Sequence, residues 1–204
     1  MEAGFLIKSF ITLFTIIDPI GGAPFFLSIT ATYSERERKK IAFKATISAL
    51  ITLLIFLWIG KSLLHFFQIS VSSFKVAGGL LLFLISIEML LGKTTQIKTT
   101  ERETLKVKEQ EDVSVVPLGI PYLAGPGAIT TIIILGENSD FYNKIGLTLV
   151  IFLVILFTFL IFIQALKIFK FLGELGIKAV VRILGLILAS IAIEYITTGL
   201  KEIF

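Results

Sequence analysis

IGLTLVIFLVILFTFLIFIQAL, residues 145–166, carries no charged side chain. Crossing the hydrocarbon core of a bilayer, roughly 30 Å thick, takes about 20 apolar residues in a helix, and this run is long enough. Working outward, five more segments qualify: Gly4 to Ala31, Ile41 to Gly60, Val71 to Leu91, Val113 to Leu135 and Ala179 to Leu200. Over the whole chain 55% of the 204 residues are hydrophobic and the mean hydropathy is +0.95. A soluble domain sits nearer 45–50% apolar. The excess lies in long runs, as membrane spans require. The pattern predicts an all-α membrane protein with six transmembrane helices, housed in the cell (inner or plasma) membrane with the lipid bilayer as its solvent.

The net charge is +4. The basic residues fall in short loops between apolar runs, so they read as orientation signals and not as a nucleic-acid surface. Fourteen Lys and Arg residues flank the loops after spans 1, 3 and 5, against five on the other side. The positive-inside rule places the richer loops in the cytoplasm and both termini outside. Met1 to Tyr33 lacks a basic n-region followed by a small-residue cleavage site, so the first apolar run is expected to stay in the mature protein. The longest polar stretch, Lys93 to Asp112, mixes charges without apolar periodicity and reads as a cytoplasmic linker. It divides the chain into 1–92 and 113–204, with three spans each.

The halves resemble each other. Span 1 reads Asp18-Pro19-Ile20-Gly21-Gly22-Ala23-Pro24, and span 4 reads Ile120-Pro121-Tyr122-Leu123-Ala124-Gly125-Pro126-Gly127. Each holds two prolines five positions apart, with small residues around the second. In spans 3 and 6, Gly79 precedes Glu88 as Gly185 precedes Glu194, by nine residues. Three spans are an odd number, so successive repeats insert in opposite senses and form an inverted repeat.

Proline inside a helix lacks the N–H and clashes with the carbonyl four residues back, while glycine adds backbone freedom. Pro19 to Pro24 and Pro121 to Gly127 are therefore expected to interrupt spans 1 and 4 near their middles. A simple proline kink or a glycine packing face is the structural alternative. If the spans break, two half-helix N-termini meet near the midplane, each with unpaired N–H groups and about half a positive charge. Such ends suit a substrate carboxylate. The expected substrate site comprises Asp18, Gly21, Gly22, Ala23, Phe25, Gly125, Gly127, Ala128, Thr130 and Thr131, with Ser28 nearby. The glycines keep the pocket small and permit close backbone approach.

These two motifs resemble those of the MarC family of integral membrane proteins, which includes small neutral amino acid transporters. Asp18-Pro19-Ile20-Gly21 with Pro24 is similar to its first motif, and Pro117 to Ile129 (PLGIPYLAGPGAI) to its second. The resemblance covers nearly the whole chain. It implies a relationship to the LysE-type transporter superfamily and substrates the size of glycine or alanine. The family commonly has Asn after the first glycine of the first motif. Gly22 stands there in this chain, so a side-chain amide role is lost. The family name does not by itself imply drug efflux.

Three intramembrane carboxylates are candidates for coupling to protons or a cation: Asp18, Glu88 and Glu194. Asp18 also has the alternative of capping the following half-helix, and the two glutamates that of pairing with Lys or Arg near an interface. His65, the single histidine, is expected in an outer loop with a surface role. No cysteine, H-E-x-x-H motif, phosphate-binding P-loop or serine with an evident base in a span is present, so neither an enzyme nor an ATP-driven pump is expected. The sequence implies no cofactor and no metal. A secondary transporter working by alternating access is the leading expectation. A channel or an exporter of another small solute is the alternative, and the oligomeric state is left open.

Overall fold

The computed structural model describes residues 3–92, 114–137 and 139–204. The expected linker, Lys93 to Asp112, lies outside the described residues. Among the described residues the chain is all-helical. In order, the helices are α1 (Ala3–Ile17), α2 (Pro19–Ile29), α3 (Glu35–Phe66), α4 (Val71–Leu91), α5 (Ser114–Leu123), α6 (Pro126–Glu137), α7 (Phe141–Ile163) and α8 (Ala165–Ile203).

By length and composition five stretches are able to cross a membrane: α1 with α2, α3, α4, α7 and α8. The pair α5 and α6, bent by 55°, makes a sixth. The six apolar runs therefore become six helical segments, and the ends of the third, Val71 and Leu91, coincide with those of α4. The bundle turns large apolar side chains outward, among them Ile7, Ile51, Leu84, Leu149, Phe152 and Ile183, as lipid-facing surfaces require.

Local chemistry sets the helix ends. Ser34 starts α3 with a capping box: its hydroxyl accepts the Glu37 N–H, and the Glu37 carboxylate accepts the Ser34 N–H. Arg38 then reaches back, its guanidinium donating to the carbonyls of Thr30 and Ala31 at the end of α2. Ser70 and Asp140 cap α4 and α7 by the same side-chain acceptance. Within α8, Gly173 has φ 65° and ψ 176°. This conformation suits glycine and separates a short Lys167- and Lys170-bearing segment from the long helix that follows.

The scaffold is the antiparallel crossing of α4 and α8. Small residues let the two backbones touch, the usual solution where lipid removes any hydrophobic drive between helices. A Cβ on Gly79 would lie 2.9 Å from the Ala192 carbonyl and 3.1 Å from the Ile196 N. A Cβ on Gly185 would lie 3.3 Å from the Ser86 carbonyl and 3.3 Å from the Leu90 N. Leu82 and Leu188, both fully buried, sit between these points. At one end Lys75, 7% exposed, gives two hydrogen bonds to the Glu202 carboxylate at 2.7 and 2.9 Å, and Ser72 adds a third. Around this pair, α3 packs on α7, α5 and α6. The α1–α2 span packs on α7 and α8, and α6 also packs on α4.

Candidate functional site

The break in span 1 is a single residue. Asp18 takes a left-handed conformation (φ 49°, ψ 62°) while the ladder continues through it: its N–H donates to Phe14 O and its carbonyl accepts from Gly22 N. Its Oδ1 accepts the Gly21 N–H at 3.0 Å. Short Asp side chains visit this region because they bond locally. Pro19 follows at the first helical position, where its fixed φ suits a helix start. The expected unwinding across Pro19–Pro24 does not occur, since α2 runs through Pro24. The N–H groups of Ala23 and Phe25 thus lie inside α2 and are not free for a carboxylate. At the start of α2 the anion position is taken by Asp18 itself. Gly21 is required here, because a Cβ would fall among the Asp18 carboxylate atoms and against Val181 Cγ2, at 2.7 Å.

Span 4 breaks more deeply. Val116 and Ile120 are extended (φ −124° and −134°), each directly before a proline that disfavours the helical region. The Ile120–Pro121 peptide is cis. Ala124 N–H reaches back five residues to Gly119 O at 3.0 Å, so α5 is wider than an α-helix. Gly125 then turns the chain and accepts from Ile129 N. α6 begins at Pro126 and leaves the N–H groups of Gly127 and Ala128 in its first turn.

Among the described residues, three of the cavities border the expected site or coupling residues. The first, about 320 Å³, is lined by Asp18, Gly21, Phe25, Ser28, Tyr122 and Lys178, among others. The second, about 10 Å³, is enclosed by Ile16, Ile85, Tyr122, Leu123 and the turn from Gly125 to Ala128. It has room for about one water. The third, about 530 Å³, is lined by Lys8, Lys75, Asn143, Glu194, Tyr195 and Thr198, among others. The first and third meet α8 at Ile177–Val181 and at Glu194–Thr198. At 1.5 Å per residue they stand roughly 25 Å apart along the helix axis.

Tyr122 borders both the first and the central cavity. It is 7% exposed, and its ring stacks on Phe25 at 4.7 Å between centroids. Gly22 makes room for it: a Cβ there would lie 2.9 Å from the Tyr122 hydroxyl oxygen. Tyr122 stands inside the second motif with no role expected from its sequence context. Aromatic and facing a glycine a hundred residues away, it left no local signal.

The expected site residues therefore separate into groups. Asp18, Gly21 and Phe25 line the first cavity, and Gly125, Gly127 and Ala128 the central one. Gly22 backs Tyr122, and Ala23 is fully buried. Thr130 is buried with its methyl against Gly78. Thr131 is fully buried, its hydroxyl facing Tyr195 short of full hydrogen-bond geometry. The three carboxylates do not converge. Asp18 is at the first cavity and Glu194 at the third, while Glu88 lines none of the three and its buried Oε2 has no hydrogen-bond partner among the described residues.

The model of the MarC family of integral membrane proteins matches residues 3–204. The chain belongs to the MarC family. A UPF0056 membrane protein of Buchnera aphidicola is 41% identical over 199 residues, covering 97% of this chain and 92% of the relative. One from Methanocaldococcus jannaschii is 37% identical, covering 98% of each. The Escherichia coli membrane protein YhcE is 36% identical, covering 97% and 92%. No solved structure matches the chain. The similarity to these MarC proteins runs nearly end to end and so spans both motifs.

Proposed function

We propose that this MarC protein is a secondary transporter of small neutral amino acids, the size of glycine or alanine, that works by alternating access. The observation carrying this reading is the row of cavities. Two open cavities stand at opposite ends of the α4–α8 pair, each lined by both signs of charge: Asp18 and Lys178 at one, Glu194 with Lys8 and Lys75 at the other. Between them lies a closed layer built on the two broken spans. A zwitterion is the small solute whose two charges suit such linings. A water-sized central cavity fits an occluding layer that must rearrange to pass cargo.

In this mechanism the Gly127 and Ala128 N–H groups at the start of α6 receive the carboxylate once the layer opens. Asp18 serves the ammonium or carries a proton, and Tyr122 on Phe25 is the barrier toward the first cavity. Reciprocal packing supports an inverted repeat behind the motion. Gly79 meets residues 192 and 196 while Gly185 meets 86 and 90; a shift of 106 takes Gly79 to Gly185 and takes 86 and 90 to 192 and 196, so each glycine meets the equivalents of the other's partners. Inverted repeats of this kind exchange access by rocking one bundle against the other. The basic asymmetry orients the first cavity to the cytoplasm and both termini outward. The reading is a carrier and not an enzyme.

The test is uptake of labelled glycine and alanine into proteoliposomes, with empty liposomes as control. Saturable uptake that favours one enantiomer of alanine supports the carrier. Solute-independent conductance supports a channel, and absence of both removes the proposal.

A further inference from the structure

The third cavity contains polar chemistry that the central site does not use. Lys8 and Glu194, both exposed, line it from α1 and α8. Lys75 enters from α4, already bound to Glu202 and so committed to the scaffold. Asn143, on the first turn of α7, lines the same cavity, and its Oδ1 is buried with no hydrogen-bond partner among the described residues. A buried amide oxygen left unpaired destabilises the protein. Asn143 also lines the cavity of about 530 Å³, so rotation of its amide turns this acceptor toward a donor held there. Beside it, the Tyr195 and Thr198 hydroxyls extend the polar wall.

We propose that this outer cavity is an entry site for a zwitterionic α-amino acid, with the ammonium held by Glu194 and Asn143 Oδ1 and the carboxylate by Lys8. The inference rests on the transporter reading and adds a second, peripheral station to it. An ammonium has three donors and no acceptor, matching a carboxylate plus a lone amide oxygen. A carboxylate needs donors, which the Lys8 ammonium supplies. The cavity far exceeds the volume of alanine, so this site reads the two charges common to all α-amino acids. Selection by size is left to the glycine-lined centre.

The chain has no cysteine, so Thr198→Cys places a single thiol on the cavity wall. The protein in nanodiscs is labelled with a soluble maleimide, and the rate is measured against alanine, propionate and ethylamine. Alanine is expected to slow labelling in a saturable manner, and the two single-charge analogues only weakly. Glu194→Gln and Lys8→Gln each change the charge beside the thiol, so protection is read as the ratio of rates with and without alanine in each variant, and folding is checked separately by the SDS titration midpoint. Each should raise the half-protecting alanine concentration about tenfold or more, the loss expected for a charge-assisted hydrogen bond. Protection by propionate equal to alanine, undiminished protection in both variants, or no protection at all would overturn the site. Transport without protection leaves the carrier standing and removes the outer site. Protection lost in the variants without any transport does the reverse.

Discussion

Gly79→Ala is the sharpest perturbation of the scaffold. The added Cβ falls 2.7 Å from Ile196 Cγ1, 2.9 Å from the Ala192 carbonyl oxygen and 3.1 Å from the Ile196 N. The side-chain clash can relax by rotation, but the two backbone atoms cannot. Ordinary contacts begin near 3.5 Å, so α4 and α8 must separate by about 0.5 Å. Overpacking of this kind costs about 1–3 kcal/mol. Alanine returns about 0.5–1 kcal/mol through the unfolded chain and helix propensity. The net loss spans about 0–2.5 kcal/mol and centres on about 1.2 kcal/mol, a factor of roughly 8 in the folding equilibrium. Gly185→Ala should cost less, because its backbone clashes are milder, at 3.3 Å. The double variant should lose less than the sum, since one separation opens room for both methyl groups. The control is Gly4→Ala, whose Cβ meets nothing within 4 Å and which should be neutral or stabilising. The assay is reversible SDS titration in mixed micelles, read by the single tryptophan, Trp58. Gly79→Ala as stable as the parent would refute the close crossing.

Three further outcomes follow from the same geometry. Gly127→Val should abolish uptake with little loss of folded protein, because its Cβ lies 2.9 Å from Leu82 Cδ2 and 3.3 Å from Ile85 Cδ1, both flexible side-chain ends; uptake at the parental rate would remove α6 from the transport path. Asp18→Asn should keep stability, since Asn both caps and tolerates the left-handed region, while altering the pH dependence of uptake; Asp18→Ala should lose about 1–2 kcal/mol in the SDS titration, and an unchanged pH profile in the Asn variant would leave only the cap. Glu202→Gln should destabilise by about 1–3 kcal/mol by stranding the buried Lys75 ammonium, and Lys75→Met in the same chain should restore most of that loss, as measured by the same titration.

Much of this architecture is legible in the amino-acid sequence because the bilayer imposes it. A run such as 145–166 has one stable solution, and the prolines and glycines of span 4 announce the turn at Gly125. The matched Gly79 and Gly185 signal the crossing. What the sequence leaves hidden depends on single conformational choices or distant partners. Pro19 and Pro24 look alike as helix breakers, yet one starts α2 and the other is absorbed in it, so the kink falls on Asp18. Lys75 lies toward one end of the third span, and nothing near it in sequence points to Glu202, which the fold brings to it from 127 positions away. Tyr122 fits between the first and central cavities only because Gly22 faces it. Glu88 and Glu194 match in sequence but line different surroundings, which periodicity cannot reveal.

The claim that this MarC protein is a carrier is tested most directly by exchange. Proteoliposomes are loaded with labelled alanine, and its efflux is followed with and without unlabelled alanine outside. A carrier that must return loaded or empty predicts efflux accelerated by external alanine, saturably and with stereoselectivity. Efflux that ignores external alanine while the labelled solute still leaves at a rate proportional to its gradient would contradict alternating access.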